Sequence, residues 1–169
     1  MNQTNTTQQQ PDQAFALVDD ISESQAADIF VQARLAKQRL DKLTLDVRLD
    51  SVRKLIDYIV QNRDEIIDVL CRETRKSRTD ALVSEVLGVL DNFEWLLHNT
   101  KSVLKDKKVS TPITLLGKKS RIIHAPLGTV LVIAPWNYPL HIGLTSILAA
   151  YVCGNAVVFK PSELTPMQG

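Results

Sequence analysis

Two short polar segments contain side chains that could bind a ligand. Pro135-Trp136-Asn137-Tyr138-Pro139 follows the apolar run 129–134, and Lys160-Pro161-Ser162-Glu163 follows the apolar run 156–159. Together they offer an amide, an ammonium group and a carboxylate, which can donate and accept hydrogen bonds. Each type also has a structural use, since an asparagine can cap a helix, a tryptophan can pack in a core, and a charged pair can be ordinary surface. Their place in the fold decides between these uses.

Two cysteines and three histidines are the other candidates for nucleophilic or metal chemistry. Cys153 follows a predicted helix, where the negative end of the helix dipole disfavours a thiolate, and Cys71 falls on the apolar stripe of another helix. His98, His124 and His141 show no ligand spacing with one another or with the cysteines. We therefore expect both cysteines to pack in the core, the histidines to be structural or on the surface, and no metal site or disulfide framework.

A strand, a helix and a second strand are predicted to position the two polar segments. The run 129–134 is rich in β-branched residues, as in a strand buried on both faces, and 156–159 predicts a second such strand. Pro139 suits the first turn of a helix that runs to about Val152 and ends at Gly154. Such a βαβ unit has parallel strands, and ligands bind beyond their carboxyl ends. Both segments should therefore lie at one edge of the sheet.

Helices are predicted upstream of this unit, so the fold class is α/β. Apolar residues recur at helical intervals over about 22–40, 45–60, 62–71 and 79–98. Ser22 with Gln25 has capping-box spacing, and Asn62 with Glu65 offers a cap for the third helix. The helix of the βαβ unit is apolar nearly all round, which places it between the sheet and another layer, such as these preceding helices.

The remaining segments are a polar tail and an extended arm. Residues 1–20 contain too little apolar surface to offset the entropy of ordering them, which predicts a disordered tail. Pro112 and Gly117 punctuate 107–123, which is predicted to be an extended arm or hairpin. Residues 21–169 are then the ordered part of the chain.

Composition excludes several classes of partner. The 169 residues are 44% hydrophobic and 23% charged, with a formal net charge of +1, so no global field favours nucleic acid or an anionic membrane. The basic stretches 101–108 and 118–121 are interpreted as solvated loop charge. No apolar run is long enough to span a bilayer, and the start of the chain lacks the features of a secretory signal, which favours a cytoplasmic protein.

The polar segments belong to a longer set of motifs that resembles the aldehyde dehydrogenase superfamily. The set comprises Ala125-Pro126-Leu127-Gly128, Pro135-Trp136-Asn137-Tyr138-Pro139, Gly154-Asn155-Ala156-Val157-Val158-Phe159-Lys160-Pro161-Ser162-Glu163 and Thr165-Pro166. The resemblance is motif-specific from 125 to 166 and general, as amphipathic helices, over 20–105. It implies the N-terminal part of a dinucleotide-binding domain, ending in an incomplete Rossmann-like parallel βαβ unit.

The resemblance also implies a cofactor site. Ile133-Ala134-Pro135-Trp136 looks like the backbone floor along which the cofactor runs, and Lys160, Ser162 and Glu163 are similar to cofactor-binding positions of the family. Lys160 would donate hydrogen bonds to the adenosine ribose and Glu163 would accept them from its paired hydroxyls. A carboxylate disfavours a 2′-phosphate, so NAD is the first expectation, while Lys160 keeps NADP open.

The catalytic part of the resemblance concerns Asn137. In relatives this amide stabilises the negative oxygen formed when a cysteine thiolate attacks an aldehyde, before the thiohemiacetal is oxidised to a thioester and hydrolysed to the acid. The family's nucleophilic Cys and general-base Glu lie downstream of the Lys-Pro-Ser-Glu segment, so we expect this chain alone to be inactive. The arm 107–123 corresponds roughly to a region where relatives build an intersubunit sheet, which implies a homo-oligomer.

Other functions remain open on the sequence alone. A CoA-linked aldehyde dehydrogenase or a reductase of activated acids would share these motifs and differ mainly in downstream residues. A non-catalytic binding or oligomerisation module, built from the helices and one βαβ unit, is the alternative from a different class. Two parallel strands make a poor sheet with exposed edges, which favours a fragment of an enzyme over a complete module.

Overall fold

The computed structural model describes residues 21–168, so the predicted disordered tail lies outside the described residues. The helices are α1 (Glu23–Leu40), α2 (Leu45–Gln61), α3 (Arg63–Thr74), the single turn α4 (Arg78–Asp80), α5 (Gly88–Val103) and α6 (Pro139–Val152). A π-helix (Ala81–Leu87) joins α4 to α5, and 3₁₀ turns occur at Ile113–Leu115 and Pro166–Gln168. The strands are β1 (Lys107–Val109), β2 (Ser120–Ile122), β3 (Thr129–Ile133) and β4 (Ala156–Lys160).

One of the two predicted helix caps is confirmed and the other is wrong. Ser22 and Gln25 form the reciprocal capping box at the start of α1, with the Ser22 N–H donating to Gln25 Oε1 at 2.8 Å. Asn62 lies before α3 but makes no side-chain cap bond. Its amide instead donates to the carbonyl oxygen of Tyr58 at 2.8 Å, in the last turn of α2. Asn62 is the one residue between α2 and α3. Its side chain binds a carbonyl oxygen in the last turn of α2, and the first N–H groups of α3 receive no side-chain cap.

The helix predicted over 79–98 is interrupted by a π-helix. It begins one residue earlier, after Ser77, whose hydroxyl accepts from the Asp80 N–H at 3.1 Å, and α5 continues to Val103. The wider π-helical turn rotates the apolar stripe, so that Val83 and Leu87 are 56% and 48% exposed. A period of 3.6 residues cannot signal such a turn, which is why the sequence predicted one continuous α-helix.

The helices pack into one apolar core that includes α6. This confirms the prediction that α6 lies between the two-stranded sheet and the preceding helices. The core draws its side chains from α2, α3, the π-helix, α5 and α6, namely Leu49, Val52, Ile59, Ile67, Leu70, Ala81, Val86, Val89, Phe93, Leu140, Leu148 and Val152. Because α6 is held in this core, the loop 134–138 that leads into it is anchored at that end.

The strands pair as the sequence predicts. β3 and β4 are parallel, with Thr129 opposite Ala156 and Ile133 opposite Lys160, as expected of a βαβ unit. The arm forms a short antiparallel hairpin in which Lys107 lies opposite Ile122. The α/β fold class is therefore confirmed.

Burial of β3 on both faces was a wrong expectation. Val132 is buried, but Leu131 and Ile133, which alternate with it, are 52% and 66% exposed. A continuous apolar run indicates a strand covered on both faces of a complete sheet. Within residues 21–168 this sheet has only two strands, and one face of β3 stays uncovered.

The buried side chain of Asn155 ties the start of the βαβ unit to its end. Its Oδ1 accepts from the Gly128 N–H at 2.9 Å and its Nδ2 donates to the Ala150 carbonyl at 3.0 Å. The Gly128 carbonyl in turn accepts from the Ala156 N–H at 2.9 Å. Gly128 has φ +119°, a conformation that glycine adopts readily and other residues do not. These motif residues therefore set the register of β3 against β4.

Candidate functional site

The two polar segments meet at one edge of the sheet, which we call the rim and define as residues 133–139 and 160–163. β3 ends at Ile133 and β4 ends at Lys160, directly opposite each other. One further hydrogen bond, from the Ala134 N–H to the Lys160 carbonyl at 3.1 Å, continues the ladder beyond β3. Parallel strands bring their carboxyl ends together, and here this places Asn137 and Lys160 on the same edge.

The first segment of the rim leaves its polar and aromatic side chains accessible. Asn137 is exposed, and Trp136 is 55% exposed, so this tryptophan is not a core residue. The N-cap of α6 is Tyr138, with no side-chain cap bond, so Asn137 does not cap that helix. Ala134 is buried while Ile133 is 66% exposed. This strand end therefore exposes apolar side chains and the Asn137 amide, which does not cap a helix.

The second segment presents an ion pair. Lys160 Nζ donates to Glu163 Oε2 at 3.1 Å and to the Pro161 carbonyl at 2.9 Å, and both charged residues are exposed. Ser162 is buried, and its hydroxyl oxygen accepts from the Leu164 N–H at 3.2 Å. The ammonium and carboxylate groups therefore face solvent, whereas the serine holds the turn that carries them.

The pKa of the Glu163 carboxyl lies below its ordinary value. The largest cause is a hydrogen bond from the backbone of Glu163 itself, followed by the hydrogen bond and the positive charge of Lys160. The carboxylate form is therefore favoured in the folded chain. Any stability linked to this pair is present above the unfolded-state pKa and is lost as pH falls through the lower folded-state pKa.

A carboxyl titration checks this origin of the Glu163 shift. We expect Lys160→Met to raise the Glu163 pKa only part of the way to its ordinary value, because the backbone hydrogen bond remains. Carbon-13 NMR titration of the side-chain carboxyls measures this directly. Asp46 is the internal control, since its lowered pKa is due first to Lys101 and should stay unchanged. A complete return of Glu163 to its ordinary pKa would contradict the assignment of the backbone bond as the main cause.

Sequence reasoning missed a buried charged group that lies behind the rim. Glu85, on the π-helix, is fully buried, and its Oε1 accepts from Lys76 Nζ at 2.5 Å. Its Oε2 accepts from the His141 N–H at 2.9 Å, in the first turn of α6. Lys76 Nζ also lies 3.9 Å from the centre of the Tyr138 ring. A carboxylate inside an otherwise apolar helical stripe was the signal in the sequence that could have found it.

The two cysteines pack against the core, and Cys153 also lies away from the rim. Cys71 and Cys153 are both free thiols, half-buried, and pack against the apolar core. Cys153 follows the last residue of α6, and 14 helical residues span about 21 Å from the end that adjoins the rim. The expectation of core packing for both cysteines is confirmed. Within 21–168 no group of three or more His, Cys, Asp or Glu side chains is arranged to hold a metal ion.

Comparison with known proteins identifies the family. The sequence model of the aldehyde dehydrogenase family matches residues 2–169. The 4,4'-diapolycopene aldehyde oxidase of Methylomonas sp is 34% identical over 140 residues, which cover 79% of this chain and 26% of that protein. The 4,4'-diaponeurosporen-aldehyde dehydrogenase of Staphylococcus aureus is 34% identical over 122 residues, which cover 72% of this chain and 27% of that protein.

A solved structure has the same fold. Staphylococcus aureus AldH in its substrate-bound state superposes with a TM-score of 0.78 at 29% identity, covering 85% of this chain and 31% of that one. The rim of this chain, with its exposed asparagine and its lysine–glutamate pair, therefore lies on a fold that the chain shares with an aldehyde dehydrogenase. The chain belongs to the aldehyde dehydrogenase family and spans about a quarter of the length of the relatives it matches.

No helix in the described part of the chain is long and apolar enough to cross a membrane.

Proposed function

We propose that the full-length enzyme containing this chain oxidises aldehydes to carboxylic acids with a nicotinamide dinucleotide. The observation that carries the proposal is the position of Asn137 at the same sheet edge as Lys160 and Glu163. Family membership supports the reaction class, and the arrangement of the rim supports the roles proposed for these residues. A CoA-linked relative would use the same rim, and no feature of residues 21–168 favours it.

The donor and acceptor groups of the rim fit a dinucleotide. Lys160 would donate to ribose oxygens and Glu163 would accept from the two ribose hydroxyls, with both groups exposed and already oriented by their mutual bond. Ser162 would hold the turn beneath them. Ile133, Ala134, Pro135 and Trp136 offer backbone and apolar surface along which the cofactor would lie. When bound, the nicotinamide supplies the acceptor for the hydride that leaves the substrate.

Asn137 would supply the positive end of a dipole to the aldehyde oxygen. As a nucleophile attacks the carbonyl carbon, negative charge develops on that oxygen, and an amide N–H stabilises it. A neutral donor is required, because a carboxylate at this position would repel the charge and an aliphatic side chain would offer no hydrogen. Asn137 suits this role because it is exposed and does not cap α6.

The charge of Glu163 favours NAD over NADP. A glutamate carboxyl is ionised near neutral pH, and here its pKa is lowered further, so a 2′-phosphate on the ribose would meet a negative charge. Lys160, paired with it at 3.1 Å, offsets part of that repulsion. We therefore propose NAD as the preferred cofactor, with NADP accepted less well.

We further propose that the hairpin arm 107–123 joins subunits of a homo-oligomer. Its apolar side chains Ile113 and Leu116 are 84% and 83% exposed. Exposed apolar side chains that lie close together are typical of a surface that contacts another protein chain. The proposed partners are another copy of the protein and a small aldehyde, with no nucleic acid or membrane, and the proposed location is the cytoplasm.

The activity of the 169-residue chain alone tests the assignment of roles. We expect no NADH production from a panel of aldehydes, because Cys71 and Cys153 pack against the core. We also expect weak or absent dinucleotide binding, because the sheet that carries the rim has only two strands within residues 21–168. Absorbance at the NADH band measures turnover, with the full-length enzyme as the positive control. NADH production by the purified chain would contradict the prediction. Its loss in Cys71→Ser or Cys153→Ser would identify one of these thiols as the nucleophile.

A further inference from the structure

The buried Glu85 lies where it can control the conformation of the rim. Its two carboxylate oxygens have different partners: the Lys76 ammonium at 2.5 Å and the backbone N–H of His141 at 2.9 Å. Both partners come from other segments, since Lys76 precedes α4 and His141 is the third residue of α6. A fully buried carboxylate is costly unless it is paired. Two charge-assisted bonds therefore fix Glu85 and its partners in one geometry.

The bond to His141 caps α6 from outside the helix. The first N–H groups of a helix lack partners within it, and α6 has no side-chain cap of its own. Glu85 supplies an acceptor and a negative charge at the positive end of the helix dipole. The residue before the N-cap of this helix is Asn137. The start of α6, and with it the direction in which Asn137 leaves the rim, is therefore set by a tertiary contact.

Lys76 extends the same restraint to the residue after Asn137. Its ammonium group lies 3.9 Å from the centre of the Tyr138 ring while it binds Glu85. A cation over an aromatic face is attracted to it, most strongly where water is excluded, and the Lys76 side chain is only 13% exposed. Tyr138 is thus held by Lys76, and its neighbour Asn137 has less freedom to turn.

The His141 ring completes the contact between the π-helix and α6. Its Nδ1 lies 3.0 Å from the Ser84 carbonyl, which can only accept, so Nδ1 carries the hydrogen. Its Nε2 accepts from the Asn92 amide at 2.9 Å. A Cβ on Gly88 would lie 2.7 Å from His141 Cε1, so the ring occupies space that only a glycine leaves free. The π-helix therefore holds α6 by both the backbone and the side chain of one residue.

We propose that Glu85 and Lys76 are positioning residues that orient the Asn137 amide toward the aldehyde oxygen. This inference rests on the proposed function, because it assigns a geometric role only if Asn137 stabilises the oxyanion. A small displacement of a catalytic group lowers the rate steeply. The dinucleotide contacts of Lys160 and Glu163 come from the other segment of the rim, and residues 133 and 134 are held by the β3–β4 ladder and not by Glu85. Loss of the restraint should therefore lower kcat and leave cofactor affinity unchanged.

Glu85→Gln in the full-length enzyme is the informative variant. Gln replaces one of the two carboxylate oxygens by an NH2 group, so either Lys76 or the His141 N–H faces a donor where it had an acceptor. We expect kcat to fall by between about tenfold and a hundredfold, with the dissociation constant of NAD unchanged within about twofold. Steady-state kinetics give kcat, calorimetry gives the dissociation constant, and thermal melting establishes that the variant is folded at the assay temperature.

A double-mutant cycle with Asn137→Ala separates positioning from general damage. If Glu85 acts through Asn137, Glu85→Gln causes no further fall in kcat once the amide is absent. Equal fold losses in both backgrounds, or an unchanged kcat for Glu85→Gln, would overturn the inference while leaving the role of Asn137 intact. An unchanged kcat for Asn137→Ala would instead overturn the proposed function and this inference together.

Tyr138 provides a second variant should Glu85→Gln fail to fold. Tyr138→Leu removes the ring from Lys76 at a site that is 38% exposed, whereas Tyr138→Phe keeps the ring. We expect Tyr138→Leu to lower kcat by about tenfold through the same misplacement, again without effect once Asn137 is replaced by Ala, and Tyr138→Phe to behave as the wild type. Equal kcat values for the leucine and phenylalanine variants would count against the inference.

Discussion

Replacing Asn137 by alanine in the full-length enzyme is expected to lower kcat by about 10²- to 10³-fold, or roughly 3 to 4 kcal/mol of transition-state stabilisation. The amide is exposed at the rim and does not cap α6, so its removal should leave the fold intact. Cofactor affinity should change little, because the proposed ribose contacts belong to Lys160 and Glu163. Steady-state kinetics with aldehyde and NAD varied in turn measure both effects.

The control for this variant is Asn99→Ala. The Asn99 amide donates to the Trp95 carbonyl within α5, away from the rim, so its loss should leave kcat and cofactor affinity unchanged. The oxyanion assignment would be wrong if Asn137→Ala weakened NAD binding and kcat by equal factors. That pattern would place the amide against the cofactor instead of the substrate oxygen.

The rim could be predicted from sequence because its determinants are local. The apolar run that forms β3, the proline at the start of α6 and the glycine after its end are each short-range signals. A helix that connects two neighbouring strands of one sheet then indicates that the strands are parallel. Parallel strands place Asn137 and Lys160 at one edge without any knowledge of side-chain contacts. The parallel pairing of β3 and β4 could therefore be predicted from the sequence alone.

The restraint behind the rim could not be predicted because it depends on packing between distant segments. Glu85 and His141 are 56 residues apart, and they meet only because the π-helix and α6 share a core. The spacing of apolar residues predicted one α-helix over 79–98 and did not indicate the π-helix at Ala81–Leu87. Asn62 failed as a cap for a local reason, since its amide donates to the carbonyl of Tyr58, four residues earlier in α2.

Lys76→Met is expected to destabilise the fold by about 3 to 5 kcal/mol, because it leaves a buried carboxylate without its charged partner. Glu85 is fully buried and the Lys76 side chain is 13% exposed, so water cannot replace the lost ammonium group. Methionine preserves most of the side-chain length and apolar packing, which limits the change to the charge. The free energy of unfolding in urea, followed by circular dichroism, measures the loss.

Lys101→Met is the matched control because it removes the same charge from the surface. Lys101 pairs with Asp46 at 2.5 Å, yet the two side chains are 63% and 74% exposed, so water and salt already screen the pair. The free energy of unfolding of the Lys101→Met variant should therefore stay close to that of the wild type. Similar losses for Lys76→Met and Lys101→Met would show that burial of Glu85 does not set the strength of its ion pair. The hydrogen bonds of His141 to Glu85 and Ser84 would then hold the π-helix to α6 together with apolar packing, and the charge of Lys76 would be dispensable for the fold.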